Sequence, residues 1–354
     1  MFSGAKLVFF SNITKFFLRN QIYFCNFARY FCEHYFMINR SLVRSKVLQT
    51  LFAYYNAGDK TPNTARKELI HSFSDTYGLY CLLLDFVNSL TTYAEEQLTE
   101  AQSRARVTHT TYTPNRRFID NRFSEQIFQN RQLRNYLEEE HIGWDAGHNA
   151  VKAVYHALQD YKAYQTYMQA PEVNYEDDKT IWRCIFRDII PACSTMESAL
   201  EELELVLDRQ NWVTDFNIIL SYVIKTIKRF TESSDKNQPL LQMFDSEDEL
   251  NFGPTLLSCA IEHHDEYTML IDSHLRNWDA NRVASMDRVI LEIALAEIMC
   301  FPQIAVEVSL NEYIELAKEY SSDKSHLFIN GMLDEILREK RRDDPFFKAQ
   351  LVQE

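Results

Sequence analysis

Glycine is scarce in this chain, with 7 residues among 354, against roughly 7% in average proteins. Because glycine supplies the positive φ angles of tight turns and the close backbone approach of phosphate-binding loops, this scarcity argues against doubly wound sheets, β-sandwiches and glycine-rich nucleotide sites. No Gly-x-Gly-x-x-Gly, Gly-x-Ser-x-Gly, His-Glu-x-x-His or P-loop string occurs. The composition therefore favours an all-α protein without an enzyme motif.

Cysteine pairs with metal-ligand spacing are also missing. The seven cysteines are dispersed, odd in number and without a Cys-x-x-Cys pair, so neither a disulfide framework nor a zinc ribbon is predicted, and we expect reduced core cysteines. A helical di-iron enzyme would need two Glu-x-x-His pairs, and the isolated candidates, Glu138 with His141 and Asp323 with His326, are better explained as exposed polar faces. We expect no catalytic residue, no metal, no cofactor and no enzymatic activity.

Residues 1–36 differ in composition from the rest of the chain, with 9 of the 24 phenylalanines and no proline. Polar residues interrupt the apolar run, which is therefore too broken for a transmembrane helix or a signal peptide. Two interpretations remain open: an amphipathic helix on a membrane surface, or a non-native or flexible leader ahead of a natural start at Met37. We favour the leader and expect no membrane partner.

Helical periodicity organises the remaining residues. A first helix is predicted over 37–57 and ends at Gly58. We divide the chain into an N-terminal helical part with a basic first helix, an inserted helical region that opens with a loop around Pro114, a polar linker, a C-terminal helical domain and a tail. The bounds of these segments are 37–103, 104–230, 231–250, 251–342 and 343–354.

The last hundred residues are the most regular. Residues 286–300 are apolar nearly all round, which predicts a buried central helix that ends before Pro302. Ser309 and Glu312 have the spacing of a capping box that would open the next helix. Gly331 is predicted inside the final helix, where it costs about 1 kcal/mol relative to alanine, and we expect close helix packing or a close ligand as compensation.

The net charge of −14 would repel a polyanion from most of the surface, so any nucleic-acid contact must be local. Arg40, Arg44 and Lys46 lie at the start of the first helix, where cations oppose the helix dipole and a bound polyanion would reverse that penalty. The alternative is a solvated basic helix end. Lys324 and Phe328, one turn apart, could hold a phosphate and stack an unpaired base, unless a neighbouring helix buries Phe328.

A third basic segment contains many arginines with aromatic residues between them. It could extend an RNA path, or it could pair with the acidic segment 196–208, and we favour the intramolecular pairing. Its members are Arg104, Arg106, Arg116, Arg117, Arg122, Arg131 and Arg134, with Tyr112, Phe118 and Phe123.

Two C-terminal strings, NWDANRVASMDRVILEIALAEI (277–298) and VSLNEYIELAKEYSSDKSHLFINGMLDEI (308–336), resemble the NusB family of transcription antitermination factors. Arg44, Gln49, Leu51 and Phe52 also fall where the opening helix of that family has matching residues. The resemblance is strong over 275–340, moderate over 37–57 and 252–275, and poor between. It implies an all-α multi-helix bundle with a NusB-like C-terminal domain, here in a long variant with an inserted helical middle region.

The resemblance further implies a cytoplasmic factor that binds boxA-type RNA together with NusE, a small-subunit ribosomal protein. Within the transcription elongation complex, such a factor promotes transcription of ribosomal RNA. The competing hypothesis is a helical protein-interaction scaffold without RNA binding, and homo-oligomerisation stays open. The expected RNA-binding residues are Arg40, Arg44, Lys46, Lys324 and Phe328, and the expected structural motif comprises Ser309, Asn311, Glu312, Asn330 and Gly331.

Overall fold

The computed structural model describes residues 37–58, 60–275 and 283–343. The predicted leader, and the predicted tail except for Asp343, lie outside these residues. Among the described residues the chain forms fourteen α-helices and no β-strand, which confirms the all-α prediction. The helices are α1 (Arg40–Ala57), α2 (Pro62–Val107), α3 (Arg122–Gln129), α4 (Arg131–Glu140), α5 (His148–Asp160), α6 (Lys162–Gln169), α7 (Tyr175–Cys184, continued by a π-helical turn over Ile185–Ile189), α8 (Ser194–Val206), α9 (Trp212–Arg229), α10 (Glu247–Glu262), α11 (His264–His274), α12 (Ser285–Cys300), α13 (Val306–Tyr320) and α14 (Ser325–Asp343).

The chain divides into two compact units. Among the described residues, one unit combines those from Met37 to Ile70 with those from Phe244 to Asp343, and the other comprises His71–Met243. The boundary at residue 70 falls inside α2, so the predicted N-terminal part, 37–103, is shared between the units. The helix α2 also continues into the predicted loop as far as Val107, where Arg104 and Arg106 in its last turn are favourable to the helix dipole.

In the first unit the core is built around α12. This helix is buried on nearly all sides, as predicted, and α1, α10, α11, α13 and α14 all pack against it. The helix α1 begins where the Asn39 side chain accepts a hydrogen bond from the Leu42 amide at 2.9 Å. It ends at Gly58, whose φ of 71° is the left-handed conformation that glycine adopts without strain. The predicted end of the first helix is therefore confirmed.

The predicted capping box at Ser309 is wrong. The helix α13 begins one turn earlier, at Val306, with Ala305 as the capping residue and no capping hydrogen bond from a side chain. Ser309 therefore lies inside the helix, where its hydroxyl donates to the buried Glu297 carboxylate and does not accept a capping hydrogen bond from a backbone amide. The spacing of Ser309 and Glu312 was thus mistaken for the start of a helix.

Gly331 lies inside α14, as predicted, but close packing does not explain it. A Cβ added to Gly331 would meet no heavy atom within 4 Å. The residue is exposed, and the helix backbone at this turn is open to approach from outside. The expectation of a close ligand there stays a prediction.

In the second unit two arginines of the arginine-rich segment form several ion pairs within the protein. Arg116 forms ion pairs with Glu95 and Asp120, and Arg122 with Asp178 and Glu232. Intramolecular pairing was expected, but these carboxylates do not belong to α8, the helix of the acidic segment 196–208. The expected partner helix was therefore wrong.

One pair of cysteines connects two helices of the first unit. Cys259 and Cys300 are joined as a disulfide although 41 residues separate them in sequence, whereas reduced cysteines were expected. Their proximity could not be predicted because it depends on how α10 packs against α12.

None of the described helices combines the length and the apolar character needed to cross a bilayer.

Candidate nucleic-acid interface

The carboxylate of Glu297 lies at the centre of a buried polar network that joins three helices. Arg44 of α1 donates two hydrogen bonds to it, from Nε to Oε2 at 2.7 Å and from Nη2 to Oε1 at 2.8 Å. Ser309 and Tyr313, both on α13, donate their hydroxyls to the same carboxylate at 2.7 and 2.9 Å. Glu297 itself is fully buried on α12. The four donors together satisfy a charge that would otherwise be costly to bury.

The Arg44 guanidinium belongs to the protein interior. Its side chain is 3% exposed, and its Nη1 also lies 3.2 Å from Glu312. Burial alone would lower the pKa of Arg44, but the hydrogen bond and charge of Glu297 raise it above the ordinary value, so the group stays charged. Burial and the Glu297 charge likewise raise the pKa of Tyr313 well above its ordinary range.

Arg40, one turn before Arg44, lies at the edge of the same cluster. Its Nη2 is 2.8 Å from Glu249, with 36% of its side chain exposed. Both guanidinium groups also lie over the Phe252 ring, at 5.0 and 5.4 Å from its centroid. Among these described groups two cations meet three carboxylates, those of Glu249, Glu297 and Glu312. The start of α1 is therefore compensated within the fold and is not a free basic patch.

Two other predicted RNA-binding residues are also buried. Lys46 is 1% exposed and Phe328 is 9% exposed. Stacking of Phe328 on a base required that no neighbouring helix bury it. The structure instead buries two neighbouring residues per turn of α14, so that Phe328 joins Ile329, Met332 and Leu333 in the core. Of the two alternatives, burial by neighbouring helices is the one observed.

Lys324 is exposed and opens a solvent-facing side of α14. The next exposed positions on that side are Leu327, with 64% exposure, Gly331, Glu335 and Arg338. They follow at intervals of three, four, four and three residues, which is helical spacing along one face. This face combines two cations, one carboxylate, one exposed apolar side chain and an open backbone position, and we call it the α14 face.

The segment that carries Lys324 is held against the central helix. Ser325 donates its hydroxyl to the buried Asp287 of α12 at 3.0 Å, and Ser321 donates to the other carboxylate oxygen at 2.5 Å. Both bonds fix the turn between α13 and α14. The lysine therefore projects from an anchored segment of the backbone.

The five predicted structural residues lie in different surroundings within the first unit. Ser309 and Glu312 belong to the Glu297 network, where Glu312 also accepts a hydrogen bond from Ser41 at 2.7 Å. Asn311 is exposed on α13, Asn330 is half-buried and Gly331 lies on the α14 face. Glu297 was not predicted from the sequence, although an acidic residue in a helix predicted to be buried nearly all round was the available signal.

The comparison with known proteins gives the family. Residues 216–338, from α9 through α14, match the NusB family. The chain is 39% identical over 100 residues to the transcription antitermination protein NusB of Bacillus subtilis (strain 168), an alignment that covers 28% of this chain and 76% of the relative. It is 32% identical over 128 residues to the protein of the same name from Finegoldia magna, covering 36% of this chain and 87% of the relative. This chain belongs to the NusB family.

The NusB relatives are thus matched over most of their length by about a third of this chain. Together with the second helical unit, this identifies a long NusB variant with an additional helical region, as expected from the resemblance. None of the solved structures compared with the chain matches it.

Proposed function

We propose that this NusB-family protein is a cytoplasmic transcription antitermination factor. It binds boxA-type RNA together with NusE and promotes ribosomal RNA transcription in the elongation complex. The supporting observation is the similarity to two proteins named for transcription antitermination, which the chain covers over 76% and 87% of their length. The interaction would be one of recognition, without a chemical reaction.

We place the RNA contacts on exposed groups. Lys324 and Arg338 on the α14 face can bind phosphates, Leu327 offers an apolar contact to a base, and the open backbone at Gly331 allows close approach. Arg40 can add a phosphate contact from its exposed fraction. Arg44, Lys46 and Phe328 would act indirectly, because their burial stabilises the helices that carry the exposed groups.

NusE is proposed as the protein partner. A chain with a net charge of −14 is electrostatically complementary to a basic ribosomal protein and repels free RNA. NusE would therefore raise the RNA affinity of the complex above that of this protein alone. A homo-oligomer that covers the RNA site is a further proposal, which the size of the free protein in solution would test.

Titration of labelled boxA-type RNA into the full chain, with and without NusE and over a series of salt concentrations, tests this function. The slope of log affinity against log salt should fall in magnitude by about 0.7 for each phosphate contact to a single strand that a substitution removes. We expect Lys324→Ala and Arg338→Ala each to weaken binding and to reduce this slope. Lys318→Ala is the matched control, since this exposed lysine lies on α13 and pairs with Glu315 at 2.6 Å.

Two results would contradict the proposal at different levels. If Lys324→Ala and Arg338→Ala both bind RNA as the wild type does, the assignment to the α14 face is wrong. If the wild type binds no RNA either alone or with NusE, the scaffold hypothesis is favoured instead. A scrambled RNA of equal length separates recognition of boxA from general attraction to phosphates.

A further inference from the structure

One cluster in the first unit has no part in the proposed RNA site. Cys259 in the last turns of α10, His263 directly after that helix and Cys300 at the end of α12 each offer one sulfur or nitrogen ligand atom, and these atoms all lie within 4.8 Å of one another. Cys259 and His263 are four residues apart, which places them on the same side of the chain, one helical turn apart. Cys300 completes the cluster from the neighbouring helix.

We propose that Cys259, His263 and Cys300, in the dithiol form of the protein, bind a single Zn²⁺ ion. Two thiolates and one imidazole are a donor set that selects zinc over hard cations such as Mg²⁺ or Ca²⁺. With zinc bonds of roughly 2.0–2.3 Å, tetrahedral ligand atoms lie about 3.5–3.8 Å apart. The three ligand atoms already lie within 4.8 Å of one another, so reaching this geometry requires the two sulfurs to separate on reduction and the nitrogen to approach them by about 1 Å at most.

The surroundings of His263 support its role as a metal ligand. Its Nδ1 lies 3.2 Å from a carboxylate oxygen of Glu266. A carboxylate accepts hydrogen bonds, so Nδ1 carries the proton and the lone pair of Nε2 remains for a metal. A carboxylate that orients a histidine in this way is the usual outer partner of a zinc site. Glu266 is therefore assigned as a positioning residue.

Tyr267 lies against both kinds of ligand. Its hydroxyl is 3.8 Å from the Cys300 sulfur, and its ring centroid is 5.6 Å from that of His263. The hydroxyl can donate to a thiolate and so stabilise the ligating form of Cys300. Because His263 is exposed, the fourth zinc position faces solvent and is open to water or to a ligand from outside.

The disulfide and the zinc site are two states of the same pair of sulfurs. Exchange with two small-molecule thiols breaks the Cys259–Cys300 bond, yields two cysteine thiols and joins the small-molecule sulfurs in a new disulfide. Zinc then displaces the two thiol protons to solvent and stays Zn²⁺ throughout. In a reducing compartment, where disulfides are rare, the dithiol form is expected to predominate.

The test is a titration of the reduced full-length protein with Zn²⁺ against a chromophoric chelator, and with Co²⁺ followed by its thiolate charge-transfer absorption. We expect one ion per chain bound through thiolates. Cys259→Ser and Cys300→Ser should abolish this binding, and Glu266→Gln should weaken it about 10- to 100-fold. The controls, Cys193→Ser and His156→Ala, should bind as the wild type does.

Alkylation of the wild-type protein provides a second readout that does not depend on the folding of a variant. Bound Zn²⁺ should slow alkylation of Cys259 and Cys300, located by peptide mass spectrometry, and leave the rate at Cys193 unchanged. The proposal is overturned if the reduced protein binds no ion in a stoichiometric ratio. It is also overturned if Cys300→Ser binds like the wild type, or if the disulfide persists under thiol reductant.

Discussion

Removal of the Arg44 charge tests whether this arginine stabilises the fold or contacts RNA. In Arg44→Met the buried Glu297 carboxylate keeps the hydroxyl donors of Ser309 and Tyr313 but loses its cation. Breaking a buried ion pair by removing one partner costs about 3–5 kcal/mol. With roughly 2–4 °C of melting temperature per kcal/mol in a unit of this size, the first unit should melt about 6–20 °C lower.

Arg40→Met is the matched control on the same helix. Its ion pair with Glu249 is 36% and 26% exposed, and exposed pairs contribute about 0–1 kcal/mol. Urea denaturation followed by circular dichroism should therefore separate the two variants clearly, although the arginines are one turn apart. The double variant Arg44→Met with Glu297→Gln should regain part of the loss, because a neutral amide no longer leaves a buried charge without a counterion.

A direct role of Arg44 in RNA binding predicts the opposite pattern. The variant would then keep its free energy of unfolding within about 1 kcal/mol of the wild type and lose RNA affinity. That combination would refute the assignment of Arg44 to the interior. A variant that loses stability but retains the RNA affinity of its folded fraction would support it.

The remaining predictions concern packing, hydrogen bonding and pH. Gly331→Ala should raise the free energy of unfolding by up to about 1 kcal/mol. Gly147→Ala should lower it by about 1–3 kcal/mol, because the new Cβ at position 147 would come within 2.6 Å of the Trp144 ring. Equal effects of the two substitutions in urea denaturation would contradict this difference. Ser309→Ala should lower stability by about 1.5–3 kcal/mol through the bond it donates to Glu297, and the loss should be smaller in a Glu297→Gln background, where the acceptor is uncharged. Burial raises the pKa of Asp85 in the folded protein. Its contribution to stability therefore falls as the pH rises from the pKa of the unfolded state through that of the folded state. Asp85→Asn should remove this pH dependence of the unfolding free energy, and an unchanged dependence would exclude Asp85 as its source.

The helices of the first unit could be predicted because their sequence signals are local. Periodicity located α12 and the end of α1 at Gly58, where a left-handed residue is required. The start of α13 was misplaced because the pair Ser309 and Glu312 fits a capping box in sequence, while both side chains bond elsewhere in the fold. A local pattern does not reveal a distant competitor for the same hydroxyl.

The candidate site was less predictable, since exposure is a tertiary property. Arg40 and Arg44 look equivalent in sequence, yet Glu297, 253 residues beyond Arg44, decides that one guanidinium is buried. Phe328 and Leu327 are neighbours, and the orientation of α14 about its own axis decides which of them faces solvent. The sequence could show which residues were able to bind RNA, but the packing around α12 decides which are accessible.

The position of Glu297 also bears on how the protein can present an RNA site while carrying a large negative charge. Its network joins α1 to α12 and α13, and the Asp287 network fixes the turn before α14 on the same central helix. Rigid elements lower the entropy lost on binding, so a few exposed cations can suffice if the helices that carry them are fixed. A variant that loosens α1, such as Arg44→Met, should then weaken RNA binding less at low temperature, where the native packing is retained, than near its melting transition. Loss of affinity that is independent of temperature would point instead to a direct contact.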